Sequence, residues 1–310
     1  MADRGTAVEV EGRALTLTNL HKILFPATGT TKRDLCRYYT QIAPAMLPHL
    51  RDRPVTFRRA PDGTGEEAFF QKHRPAGSPA WVPTIEVDPS GPASRADERG
   101  GAGDGGGRIA FAGIDSLPAL LWAANLAAIE LHVPMWKVDR RMIPMRPDLM
   151  VFDLDPGPGT SILQCCEVAL LVRDALDADG LTALPKTSGS KGLQVYTAIG
   201  GRPAIDSLRY AQELAVRLQR SHPAAVVSNM RRELRTDRVL IDWSQNHPAK
   251  TTIAPYSLRV RPEPSVSTPV GWDEIAAALR SGDAGALFFT PDDVVTRVQS
   301  RGDLFEPLVA

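Results

Sequence analysis

The sequence has 310 residues, of which 43% are hydrophobic and 23% are charged. These proportions exclude a disordered chain and suit one large domain or two closely packed domains. The 36 Lys and Arg side chains balance the 36 Asp and Glu side chains. A uniformly basic surface is therefore excluded, and any nucleic-acid surface must be a local patch.

Hydrophobic periodicity and turn residues define the predicted elements. In chain order they are a strand at 15–18, a helix at 32–50, a strand at 54–59, a helix at 116–131, strands at 150–155, 193–199 and 238–243 alternating with helices at 162–178 and 207–220, and a last helix at 272–280. Residues 75–107 are rich in Pro and Gly, and we expect 89–107 to form a long mobile loop or hairpin. The alternation of strands and helices favours an α/β or α+β protein.

Cysteines and long apolar runs are scarce. Cys36, Cys165 and Cys166 are too few for a disulfide framework or a four-cysteine zinc site. No apolar run reaches the ~18 residues of a membrane span, and the first residues lack the apolar core of a signal peptide. We therefore expect a cytoplasmic protein with no membrane partner.

The segment 151–157 carries two acidic residues in a predicted strand. Side chains alternate along a strand, so Asp153 and Asp155 project from one face while Phe152 and Leu154 project from the other. Two like charges so close together repel, and a divalent cation would neutralise them. Oxygen-only ligands suit Mg²⁺ or Mn²⁺. The alternative is a strand-end turn in which the carboxylates make local hydrogen bonds.

Asp242 lies in another predicted strand, within an apolar run. A carboxylate there is costly unless it is paired or bound to metal. If its strand lies beside that of Asp153 and Asp155, the three carboxylates form a site for two cations ~4 Å apart. Such a site activates a hydroxyl nucleophile and stabilises a leaving pyrophosphate. The alternative is an ion pair with a basic neighbour such as Lys250.

Two further segments contain residues suited to phosphate groups. The small residues of 186–192 free backbone N–H groups to face an anion, and Lys191 adds a positive charge. A plain turn is the alternative for this segment. In 250–259, Lys250 and Arg259 are the candidate phosphate ligands.

Two aromatic motifs have both a structural and a functional interpretation. His132, at the end of a predicted helix, is either a structural residue with its hydrogen bonds satisfied or a site residue. Phe69 and Phe70, in basic surroundings, are either core residues or a stacking platform for a nucleic-acid base.

The motifs occur in the order seen in one protein family. They are 153–157, 188–193, 241–246 and 250–259, preceded by 17–22 and 26–32. Together they resemble the polymerase domain of the bacterial end-joining ligase D, within the archaeo-eukaryotic primase superfamily, over about residues 15 to 305. The sequence contains no ligase module, so it resembles a stand-alone polymerase.

The resemblance implies an α+β fold: a primase-type catalytic module with an RRM-like sheet flanked by helices, and a packed N-terminal subdomain. A single domain, 1–310, would comprise an N-terminal DNA-end-binding part (1–110), a catalytic sheet (111–265) and a C-terminal helical part (266–310). The implied function is a template-dependent repair polymerase that prefers ribonucleotides. It would fill short gaps and extend ends in bacterial non-homologous end joining.

The resemblance also implies roles for individual residues. Two Mn²⁺ (or Mg²⁺) ions would be held by the catalytic carboxylates Asp153, Asp155 and Asp242. The incoming NTP or dNTP would be held by His132, Ser188, Lys191, Gln245 and Arg259. DNA and its 5′-phosphate would be held by Asn19, Lys22, Lys32, Arg58, Phe69 and Phe70.

The implied partners are DNA, as gaps or double-strand-break ends with a 5′-phosphate, an end-binding protein and a separate ATP-dependent ligase. The expected location is cytoplasmic and associated with the nucleoid. In one respect the chain departs from the family, which usually has His after Gly-Leu, whereas Gln194 follows Leu193 here. Because a neutral amide cannot become cationic, we expect weaker nucleotide binding or an altered metal preference.

Two other functions are compatible with these residues. One is a phosphatase of the haloacid-dehalogenase type, with Asp153 as nucleophile and Asp155 as acid. The other is a non-catalytic module that binds DNA ends and has lost its metal chemistry.

Overall fold

The computed structural model describes residues 5–87, 108–200 and 205–309. Its helices are α1 (Lys32–Leu50), α2 (Leu117–Asn125), α3 (Ile162–Ala178), α4 (Ser207–Ser221), α5 (Trp272–Ser281) and α6 (Pro291–Arg301). Its strands are β1 (Thr6–Val10), β2 (Arg13–Leu17), β3 (Ile23–Phe25), β4 (Thr30–Thr31), β5 (Pro54–Arg59), β6 (Phe69–Gln71), β7 (Thr84–Val87), β8 (Ile109–Gly113), β9 (Ala128–Val133), β10 (Trp136–Val138), β11 (Pro144–Pro147), β12 (Leu149–Pro156), β13 (Leu184–Thr187), β14 (Leu193–Ala198), β15 (Val226–Val227), β16 (Val239–Asp242) and β17 (Thr252–Ile253). The α+β class is confirmed.

The first large sheet has the strand order β17-β9-β5-β8-β7, with β6 added to β5. Helix α1 begins at a capping box in which the Thr31 side chain and the Asp34 side chain each bond the other's backbone N–H. Strands β7 and β8 pair in a hairpin whose connection, the loop expected over 89–107, lies outside the described residues. This sheet carries the exposed edge strand β6.

The predicted helix at 116–131 is wrong in its second half. Helix α2 ends at Asn125, and 128–133 form the buried strand β9 between β5 and β17. Ala127 has a left-handed φ of 55° and turns the chain into the strand. A short Ala- and Leu-rich apolar run fits a buried strand as well as a helix, so periodicity alone does not separate the two.

The second large sheet has the order β13-β14-β12-β16-β15. The central strand β12 is antiparallel to both neighbours, β14 and β16. Helix α3 packs against β12 and β14, and α4 packs against β12. Phe152 and Leu154 join Cys165 of α3 in the core, so Asp153 and Asp155 face away from the helices. This is the sheet that presents the acidic motif.

One hydrophobic cluster of the described residues joins the two large sheets, with Phe57 and Leu131 from the first and Phe152 and Leu193 from the second. The expected division at residue 110 does not follow the sheets, because β9 and β17 belong to the first one. Helix α6 was not predicted, although it begins with a Thr-Pro start and a capping box. No helix within the described ranges has the length and apolarity to cross a membrane.

Candidate active site

Three carboxylates lie on one face of the second sheet, on neighbouring strands. In the register of β12 and β16, Asp153 stands directly opposite Asp242, and Asp155 follows two residues later on the same face. Directly opposite residues have Cβ atoms ~5 Å apart. The strand of Asp242 therefore lies beside that of Asp153 and Asp155, as a three-carboxylate site requires.

Asp242 is held by hydrogen bonds from its own loop, and among the described residues no Lys or Arg forms an ion pair with it. Its Oδ1 accepts hydrogen bonds from Ser244 N (3.0 Å) and Oγ (2.5 Å), and its Oδ2 accepts one from Gln245 Nε2 (2.9 Å). Lys250 Nζ donates to Ser244 Oγ at 2.5 Å. The alternative of an Asp242–Lys250 ion pair is therefore wrong: Lys250 reaches the carboxylate only through a hydroxyl.

The carboxylates carry more negative charge than their surroundings neutralise. Burial, and then the charge of Asp155, raises the pKa of Asp153 from 3.8 to about 7. Burial and the charge of Asp242 also raise the pKa of Asp155. Asp153 Oδ1 accepts its hydrogen bond from Gln194 Nε2 on the neighbouring strand β14, at 3.0 Å, and not from its own strand end. The alternative of local turn hydrogen bonds therefore does not describe this carboxylate.

The donor set fits hard divalent cations, because every candidate ligand is a carboxylate oxygen. Within the described ranges, no three His, Cys, Asp or Glu side chains already stand close enough to form a metal cluster. The raised pKa values of Asp153 and Asp155 indicate an excess of negative charge that a bound cation would neutralise.

The loop between β13 and β14 is built around Ser188. Its Oγ accepts hydrogen bonds from the backbone N–H groups of Ser190 (3.2 Å) and Gly192 (3.1 Å). Two of the amides expected to face an anion are therefore used inside the loop. Gly189 has a φ of 67°, and a side chain there would press on the backbone of Ser267. Exposed Lys191 lines a cavity of about 780 Å³ beyond the end of β12.

A buried carboxylate gathers three of the predicted site residues. Glu130 accepts hydrogen bonds from Arg58 (3.1 Å), His132 (2.8 Å) and the backbone N–H of Val260 (2.8 Å), and Arg259 Nε lies 3.5 Å away. Burial opposes ionisation, but the hydrogen bond from His132 and the charge of Arg259 lower the pKa of Glu130 to about 2. Burial lowers the pKa of His132. His132 thus lies on a strand and faces this carboxylate.

The sequence motifs predict no role for Glu130. The signal that would have identified it is the spacing of Glu130 and His132, two residues apart, which places both on one face if 128–133 is read as a strand. In the predicted helix, residues two apart do not share a face, so the helical prediction does not bring Glu130 and His132 together.

The aromatic pair lies on the exposed edge strand β6. Phe69 and Phe70 are 43% and 60% exposed, so their interpretation as core residues is wrong. Arg59 lies 5.4 Å from the ring of Phe69, and Arg58 lies 5.7 Å from the ring of Phe70. His132 meets Phe70 edge-on at 5.4 Å. The result is two aromatic faces beside two guanidinium groups.

The predicted 5′-phosphate residues lie in one turn system. Lys22 N donates to Asn19 O, and Lys32 N donates to Lys22 O, both at 2.9 Å. The Lys32 side chain is buried and its Nζ donates to two backbone carbonyls, at 3.0 and 2.7 Å. Lys22 Nζ pairs with Asp62 at 2.6 Å, and both side chains are exposed enough to exchange partners. Phosphate binding by these residues stays a prediction.

Residues 31–305 match the family model "LigD, primase-polymerase domain". The chain is therefore a primase-polymerase domain, a nucleotidyltransferase of the DNA-directed polymerase class. More narrowly, it belongs to the LigD primase-polymerase family. This membership excludes the phosphatase alternative.

Two curated relatives and one solved structure illustrate the similarity. The chain is 40% identical over 302 residues to the multifunctional non-homologous end joining DNA repair protein LigD of Mycobacterium tuberculosis, covering 96% of this chain and 37% of the relative. It is 29% identical over 290 residues to the bifunctional LigD of Bacillus subtilis, covering 93% and 43%. The chain thus spans less than half the length of these relatives.

The solved structure is the polymerase domain from Mycobacterium tuberculosis ligase D in complex with DNA. It superposes with a TM-score of 0.84 at 40% identity, covering 95% of this chain and 98% of that one. The fold of the described residues is therefore that of a LigD polymerase domain.

Proposed function

We propose that this chain is a template-dependent nucleotidyl transferase that fills short gaps and extends DNA ends in non-homologous end joining. The observation that carries the proposal is the placement of Asp153 opposite Asp242, with Asp155 two residues further along the same face. Family membership supports it, as do the end-joining names of the relatives and the DNA bound to the related polymerase domain.

The three carboxylates would hold two divalent cations, Mn²⁺ or Mg²⁺. When bound, these ions would lower the pKa of the attacking 3′-hydroxyl and neutralise charge on the leaving pyrophosphate. Ser244 and Gln245 orient Asp242, and their hydrogen bonds fix both of its oxygens before any ligand arrives. At the rim of the sheet, Lys191 and Arg259 supply the positive charge that a triphosphate requires.

The nucleic acid would lie along the exposed edge of the first sheet. Phe69 and Phe70 present aromatic faces on which template bases stack, and Arg58 and Arg59 beside them favour a polyanion. On the turn that begins α1, Lys22 would exchange its exposed aspartate partner for the 5′-phosphate of the downstream strand.

Further parts of the proposal follow from the same reaction. Ribonucleotides would be the preferred substrates, and Mn²⁺ the more effective ion. Gap filling leaves a nick, so an ATP-dependent ligase and an end-binding protein are the proposed partners. The site of action would be the cytoplasm, at the nucleoid.

Primer extension tests this function. The purified chain is incubated with a gapped duplex that carries a downstream 5′-phosphate, with Mn²⁺ or Mg²⁺, and with either NTPs or dNTPs. We expect template-directed extension, faster with NTPs and Mn²⁺. Asp153→Ala and Asp242→Ala should abolish extension but leave DNA affinity within about threefold, because they touch only the cation site.

Asp174→Asn, on the exposed outer face of α3, is the matched control and should extend normally. Normal extension by Asp242→Ala would exclude the carboxylate site. If the unaltered chain binds 5′-phosphorylated ends tightly but extends none of them, the non-catalytic end-binding function is correct instead.

A further inference from the structure

A fully buried lysine lies on the same sheet face as the carboxylates. Lys186, on the edge strand β13, has no exposed surface. Its Nζ donates to Gln194 Oε1 at 2.5 Å and to Ser267 Oγ at 2.6 Å, and lies 5.5 Å from the centre of the Tyr196 ring. Among the described residues no carboxylate forms an ion pair with it, so neutral oxygens and an aromatic face replace a counter-ion.

Lys186, Gln194 and Asp153 form one row across three strands. Lys186 stands opposite Gln194 in the β13–β14 pair, and Gln194 stands opposite Asp153 in the β12–β14 pair. The row ends at Asp242, which is opposite Asp153 on the other side. The amide of Gln194 is therefore the direct link between the buried amine of Lys186 and the proposed cation ligands.

The orientation of this amide is fixed by its neighbours. An ionised carboxylate only accepts hydrogen bonds, so Asp153 must face the Nε2 group of Gln194, which leaves the Oε1 atom for Lys186. Tyr196 OH also points to Oε1, at 3.4 Å. The Nε2 group is consequently turned to the other side, where it donates to Asp153 Oδ1 at 3.0 Å. This donor holds one oxygen of Asp153, and Oδ2 accepts no hydrogen bond from any described residue.

We propose that Gln194, locked by Lys186, is a positioning residue that fixes the Asp153 carboxylate with a single oxygen free for a cation. This inference rests on the proposed function of the carboxylates. Partners of this kind set the direction of a metal ligand, and their loss typically weakens metal binding by about 10- to 100-fold. The amide also supplies the same pattern as a neutral imidazole, which donates at one nitrogen and accepts at the other.

The test measures Mn²⁺ affinity directly, without nucleotide or DNA. Free Mn²⁺ is titrated by electron paramagnetic resonance in the presence of the chain and its variants at pH 7.5. We expect Gln194→Met to weaken Mn²⁺ binding by about 10-fold, since it removes the donor while nearly keeping the volume. Gln194→His, which restores a donor toward Asp153 and an acceptor toward Lys186, should stay within about threefold of the original affinity.

Thr197→Val is the matched control. Thr197 lies on the same strand as Gln194 and is also buried, and valine has nearly the shape of threonine. It should leave Mn²⁺ affinity unchanged. If Gln194→Met misfolds because it leaves Lys186 with only one of its two oxygen partners, the double variant Lys186→Met with Gln194→Met replaces both groups with apolar ones. The same 10-fold loss is then expected from a chain with a normal melting transition.

A folded Gln194→Met or double variant with unchanged Mn²⁺ affinity would overturn the positioning role and leave the proposed function intact. A Gln194→His variant as weak as Gln194→Met would also overturn it, because the donor would then not be the cause. If the unaltered chain binds no Mn²⁺, and Asp153→Asn changes nothing, the proposed function fails as well.

Discussion

Replacing Asp153 with asparagine should stabilise the metal-free protein while removing its function. The carboxylate shares a sheet face with Asp155 and Asp242, and burial and the charge of Asp155 raise its pKa from 3.8 to about 7. Asparagine has nearly the same shape, and its amide oxygen still accepts the hydrogen bond from Gln194. The substitution therefore removes charge repulsion with little change in packing.

The size of the effect follows from the pKa. A carboxyl whose pKa is higher in the folded chain loses stability as the pH rises from its unfolded value, near 4, to its folded value, near 7. At ~1.4 kcal/mol per pH unit, the full rise corresponds to about 4 kcal/mol. Because Asp153 is only partly buried and water reaches it, we expect about half, ~2 kcal/mol. The penalty is complete above pH 7.

Urea unfolding in EDTA measures this difference. At pH 8, Asp153→Asn should be more stable than the original chain by about 2 kcal/mol, and the gap should close below pH 5. Added Mn²⁺ should stabilise the original chain and not the variant, because only a chain that binds the ion gains from it. A variant that is no more stable than the original chain at pH 8 would refute the claim that the three carboxylates repel one another.

Three further predictions concern neighbouring parts of the site. Gly157→Ala places a methyl group on the carbonyl oxygen of Arg235 and should lower the melting temperature by a cost of about 2 kcal/mol, whereas Gly65→Ala, which meets only ordinary contacts, should not. Glu130→Gln leaves the buried positive charge around it without a counter-ion and should lower the free energy of unfolding in urea at pH 7 by about 3 kcal/mol. Since the pKa of Glu130 is about 2, this stability difference should persist down to about pH 4.5 and shrink toward pH 2. Phe70→Ala should weaken binding of a single-stranded overhang by about 10-fold in fluorescence anisotropy and leave blunt duplex binding unchanged; equal losses on both would exclude stacking.

Elements with clear end signals were predictable from sequence. Helix α1 covers the expected 32–50, and α3 the expected 162–178, because each begins at a side-chain cap and carries an apolar face. Strand β9 was missed since its buried position in the sheet, and not its own pattern, makes 128–133 extended. Helix α6 also begins with two start signals in the sequence, the cap residue Thr290 and the proline that follows it.

At the site, the types of the functional residues could be predicted from the sequence, but which of them lie next to one another could not. The Asp-x-Asp alternation and the lone Asp242 gave the residue types and their common face. Long-range pairing decides which strands are neighbours, so only the structure shows that Asp153 lies opposite Asp242. Only the structure shows that Glu130 contacts residues distant in the chain, such as Arg259, and that the Lys32 side chain is buried with its Nζ bonded to a backbone carbonyl.

Crystals soaked in Mn²⁺ and measured at the manganese absorption edge test the central claim most directly. We expect anomalous scattering between the carboxylates of Asp153, Asp155 and Asp242, and its disappearance in Asp242→Ala crystals. Manganese bound only elsewhere on the chain, or an unchanged peak in the variant, would contradict the assignment of these three residues to a shared cation site.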